Sequence, residues 1–182
     1  MSEAASVTPP PRARRKVWLD ALVMGSALAA GVVLASRWRE LPQSGLWFHA
    51  QRAWVILTML TIGLAMVRRL GPRPVLPPGR YGAGDAACLG VVVAVGFMLA
   101  ARVPSMLVYH LQNGAFRLES LRLLFDDRRP AIAVVSCWAI LRLTRGWYSV
   151  RDWVDRAGMA AGVAWVALAL VVPFANTLIS GR

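Results

Sequence analysis

Long apolar runs alternate with short basic ones along most of this chain. The first run, Val17 to Ser36, carries no charge beyond Asp20 and is bracketed by Trp18 and Trp38. A second covers 46–67, opening beside Trp47 and closing on Arg68 and Arg69. A third starts near Asp85 and is clean to Ala101, with Arg102 after it. The last covers about 155–179, "DRAGMAAGVAWVALALVVPFANTLI". Each approaches the ~20 apolar residues that a helix needs to cross a bilayer core. The tryptophans stand where indole rings anchor at the membrane boundary. The pattern predicts transmembrane helices at 17–36, 46–67, 85–102 and 155–179.

One stretch is ambiguous. In "LLFDDRRPAIAVVSCWAILRLTRGW", residues 123–147, the apolar run from Ala131 to Leu141 is only 11 residues, or ~16 Å of helix. Extending it to Tyr148 takes in Arg142 and Arg145. Near a helix end such side chains reach the headgroups and most of their insertion cost disappears. Pro130 suits a first helical turn, and Asp126 and Asp127 lie where the helix dipole is positive. A short span at 130–148 is therefore expected, making five transmembrane helices, with four as the alternative.

The remaining segments are connectors. Residues 1–16 are polar and Pro-rich and are expected to form a disordered, basic tail. The segment "GPRPVLPPGRYGAGD" reads as a Pro/Gly loop. Beyond Ala101 the preferred reading ends the third span at Arg102 and lays 105–111 along the interface. The alternative is one helix to Gln112, kinked at Pro104. Residues 115–129 read as a solvated connector, with Glu119, Arg122 and Asp126 able to pair.

Charge orients the bundle. With five spans and the N-terminus inside, the inner segments 1–16, 68–83 and 142–156 each hold four Lys/Arg. The outer segments 37–52, 102–129 and the C-terminal end hold three, five and one. Twelve inside against nine outside follows the positive-inside tendency. Composition agrees with the class, since 57% of residues are hydrophobic and 16% charged. The net charge of +12 is scattered between the apolar runs, leaving no basic face for nucleic acid. Anionic lipid headgroups are its natural partners. The expected class is an all-α integral membrane protein, residues 17–182 forming one helical bundle.

Candidate chemistry is sparse. Cys88 and Cys137 stand apart, with no metal-ligand spacing. There is no HExxH, GxSxG, P-loop or dinucleotide fingerprint, and no clustered carboxylates. Neither an enzyme nor a bound cofactor is expected. His49 and His110 fall near the same outer face, where two histidines from adjacent helices could hold a haem iron or serve quinol chemistry. Arg102 with Pro104, and Pro173 with Asn176, are the nearest approach to a transporter's broken helices. A small transporter or redox carrier using His49, His110 or Arg102 is the competing reading.

Packing signals are clearer. Gly158 and Gly162 form a GxxxG pair, and Ser26/Ala30 and Ala86/Gly90 repeat the small-xxx-small spacing that lets helices approach closely. They suit packing within the bundle, or contact with a membrane-protein partner or a second copy. A non-enzymatic accessory or scaffold subunit is the function expected. At 146–165, "GWYSVRDWVDRAGMAAGVAW", the chain resembles small uncharacterised multi-span membrane proteins of planctomycete-type bacteria. The resemblance rests on Trp153, Val154, Asp155, Arg156, Gly158, Gly162 and Trp165. It implies a bacterial membrane protein and transfers no functional residue.

Overall fold

A computed structural model describes residues 11–36, 46–70, 81–113, 128–148 and 152–180. They form five helices: α1 Pro11–Ser36, α2 Leu46–Leu70, α3 Ala83–Asn113, α4 Arg129–Leu143 and α5 Trp153–Ser180. Two-residue stretches, β1 Tyr81–Gly82 and β2 Trp147–Tyr148, pair in parallel, with Tyr81 opposite Trp147. The fold is an all-α bundle in which α1, α2, α3 and α5 are long and apolar enough to cross a membrane.

Successive helices alternate in direction. Arg52 Nε of α2 donates to the Ala35 carbonyl of α1 at 2.9 Å, while Gly63 backs onto Met24 and Ala27. Arg68 at the end of α2 meets Asp85 at the start of α3. Trp138, near the end of α4, donates its indole N–H to the carbonyl of Ala83, the first residue of α3, at 2.9 Å. Ala133 and Cys137 lie over Gly90, so α4 runs back along α3. Gly158 lies over Gly84, and Gly162 over Ala87, so α5 runs parallel to α3. The start of α1 and the end of α5 are therefore at opposite ends of the bundle.

Trp54, Val91, Met98, Val134 and Trp165 form the centre of the core. Its hydroxyls return to their own helix: Thr58 Oγ1 donates to the Trp54 carbonyl at 2.7 Å and Thr61 Oγ1 to Leu57 at 2.6 Å. In hydrocarbon an unmatched polar group costs several kcal/mol, so local partners matter.

Three sequence expectations are corrected. The third span does not end at Arg102, because α3 continues through Pro104 to Asn113. Val103, Met106, Leu107 and Val108 still favour lipid or protein over water. The expected tail to residue 16 is shortened, because α1 begins at Pro11. Proline suits a first helical turn, and the Arg/Ala/Lys run after it has high helix propensity.

The third correction concerns 130–148. α4 stops at Leu143 after 15 residues, ~22 Å against a hydrocarbon core of ~30 Å. The Thr144 amide and hydroxyl both bind the Ile140 carbonyl, at 2.9 and 2.8 Å. Arg145 then takes φ 53°, the left-handed conformation that closes a helix C-terminus. The chain turns there, and Trp147–Tyr148 pairs with the approach to α3. The connector expected at 115–129 falls mostly outside the described residues.

Candidate functional site

The main polar cluster among the described residues lies where α2 ends and α3 and α5 begin. Sequence builds it locally. Asp152 precedes the apolar run of α5 and accepts the Asp155 amide on Oδ1 at 2.8 Å, a side-chain N-cap. Asp155 in turn leaves its own helix and caps another. Its Oδ1 accepts the amides of Gly84 at 2.9 Å and Asp85 at 3.2 Å. A carboxylate at the N-terminus of α3 satisfies two orphan N–H groups and the positive end of the helix dipole. Asp155 is 3% exposed, a burial tolerable only with such partners.

Arg68 ties the third helix in. Its Nε donates to Asp85 Oδ2 at 2.9 Å and its Nη1 to Asp152 Oδ2. Nη2 lies 2.8 Å from the same Asp85 oxygen, but off the hydrogen-bond direction, so that contact is Coulombic. One guanidinium thus bridges a carboxylate at the head of α3 and another at the head of α5.

The backbones come close because glycine permits it. A Cβ on Gly84 would collide with the Asp155 main chain, and one on Gly82 with its carboxylate. A Cβ on Gly158 would stand 2.7 Å from the Gly84 carbonyl oxygen and 3.0 Å from Cys88 Sγ. Trp138 seals the side, its indole N–H on Ala83 and its ring 6.5 Å from that of Trp147. Beside the cluster a 340 Å³ groove runs between α2 and α3, with Arg68, Arg69 and Asp85 as the charged residues of its lining and Arg69 and Asp85 the more exposed of them.

The residues singled out by sequence are distributed differently. Gly158 and Gly162 face inward, Gly162 against Ala87 and the Trp138 ring. Ala86/Gly90 is likewise internal, Gly90 lying under α4, whereas Ser26 and Ala30 are exposed on α1. His49 is exposed in the first turns of α2, and His110 lies in the last turns of α3 at the same end of the bundle. That end is opposite the Arg68 cluster. Arg102 is half-buried within α3 rather than at its end. Cys88 is buried and Cys137 half-buried, both as free thiols. Among the described residues no group of three His, Cys, Asp or Glu could hold a metal ion.

The Arg68–Asp85–Asp152–Asp155 cluster escaped sequence reading, which took Arg68 and Asp85 as separate helix-end charges. One signal was available: an arginine closing one apolar run and an aspartate opening the next, joined by a Pro/Gly loop. Chemically each carboxylate of the cluster has a guanidinium or backbone amides as its partner, Asp85 through Oδ2 alone among the described residues. No family model matches the chain, and no curated protein or solved structure does either.

Proposed function

We propose that this chain is a non-enzymatic accessory or scaffold subunit of a bacterial cytoplasmic membrane, packing with other membrane components. Its N-terminus is cytoplasmic and its C-terminus outside, with the basic inner segments resting on anionic headgroups. The outward face of α1 carries the reading. Only 11% of its apolar window is buried, against 28–39% in the other three candidate spans. Ala21, Gly25 and Ala29 recur there at four-residue spacing beside Ser26 and Ala30, all exposed. Open space surrounds the position of a Cβ on Gly25. Small residues allow a second helix backbone to approach, which is how helices gain affinity in lipid. The polar cluster supports the same reading, because its charges are spent on holding three helices together.

Gly25→Leu tests it. The variant should keep the thermal stability of the parent, since Gly25 is exposed and nothing lies within 4 Å of the position of a Cβ there. The assembly extracted from native membranes in mild detergent should fall to the single chain, as read by light scattering. A parent already single, or a variant assembled like the parent, would remove the reading. Orientation has its own test, with fluorescent-protein and alkaline-phosphatase fusions at each end of the chain. Fluorescence only before Met1 and phosphatase activity only after Arg182 are expected. Same-side termini would mean that α4 does not return the chain across the membrane.

A further inference from the structure

The α2–α3 groove has a chemistry that the polar cluster does not use. Its walls, including Ile62, Ala65, Leu89 and Val92, are apolar, and Met66 and Leu89 at its edge are half exposed. Its 340 Å³ falls within the ~300–1,000 Å³ of ordinary ligand pockets. From Arg69 down to Ile62 is seven residues of helix, ~10 Å. That is about two-thirds of one leaflet's share of a ~30 Å hydrocarbon core. A groove of this kind at this depth is filled by hydrocarbon, because water has no partners there.

The mouth decides which hydrocarbon. Arg69 is exposed, and among the described residues its guanidinium has no hydrogen bond or ion pair. Asp85, 21% exposed in its side chain, accepts Arg68 on Oδ2, and among the described residues Oδ1 has no donor. The mouth therefore offers one uncommitted cation and one uncommitted carboxylate oxygen, a pair complementary to a zwitterion.

We propose that this groove is a binding site for one aminophospholipid. One acyl chain lies between α2 and α3, the phosphate on Arg69 and the primary ammonium on Asp85. The phosphate takes charge-assisted hydrogen bonds from the guanidinium, and the ammonium supplies the donor that Oδ1 lacks. Phosphatidylglycerol offers the phosphate but no cation for the carboxylate. Phosphatidylcholine carries a cation with no N–H to donate. The site stands independently of the accessory role and of the α1 face.

Native mass spectrometry of the purified full chain tests it, with phosphatidylethanolamine, phosphatidylglycerol and phosphatidylcholine of matched acyl chains added in equal amounts. One phosphatidylethanolamine should be retained at least fivefold over either competitor. Arg69→Gln, at an exposed side chain outside the Arg68 ion pairs, should erase the preference. Leu89→Trp, at the groove's half-exposed edge, should reduce retention of all three by filling the acyl channel. Phosphatidylglycerol retained as well as phosphatidylethanolamine would overturn the headgroup assignment. Retention unchanged in both variants would overturn the site.

Discussion

Gly158→Leu is expected to prevent the bundle from closing at the end where α3 and α5 begin. The position of a Cβ there is 2.7 Å from the Gly84 carbonyl oxygen and 2.9 Å from its carbon. Both are main-chain atoms of a helix and cannot rotate aside. Excess volume in a well-packed core costs typically about 1–3 kcal/mol where side chains can adjust. Here α3 and α5 must separate, which pulls the Asp155 carboxylate off the Gly84 and Asp85 amides at the same time. The loss should exceed that range. Purified Gly158→Leu should be recovered in low yield and lose its cooperative thermal transition in micelles. Gly25→Leu, prepared alongside, should melt like the parent. Similar melting of the two glycine variants would mean that the α3–α5 approach is not needed for the fold.

Arg68→Met is expected to destabilise by about 2 kcal/mol. Breaking a fully buried pair costs about 3–5 kcal/mol, because the partner is left charged and unmatched. The figure is lower here because Asp85 and Asp152 keep solvent contact, with side-chain exposures of 21% and 35%. The diagnostic is rescue. Combining Arg68→Met with Asp85→Asn and Asp152→Asn removes the orphaned charges and should restore most of the melting temperature. Effects that merely add across the three positions would show that Arg68 acts by packing, not by charge. Asp155 is left intact throughout, since its partners are backbone amides.

The four long apolar helices were legible because periodicity and length are local properties. An apolar run of ~20 residues has few alternatives in lipid, where each backbone N–H and C=O must pair within its own segment. The basic clusters at 12–16, 68–69 and 142–145 were equally plain. The ends of elements were harder. A run already long enough at Ala101 argued for a stop at Arg102, yet α3 continues through Pro104 to Asn113, where Val103, Met106, Leu107 and Val108 keep the stretch apolar. Thr144 and Arg145 ended α4 earlier than composition suggested, through a capping geometry that apolar content does not record.

By itself the sequence determined the class, an all-α bundle, and the four segments long and apolar enough for lipid. Tertiary structure alone decided what the charges and glycines do. Arg68, Asp85, Asp152 and Asp155 are spread over 88 positions of the chain. Their pairing exists only once α2, α3 and α5 bring their ends together. Gly158 and Gly25 are the same residue type on apolar helices, one pressed against a neighbouring backbone and the other open. Local pattern dictates secondary structure because backbone hydrogen bonds are short-range. Which face of a helix is covered depends on the arrangement of the others, and no single segment carries that information.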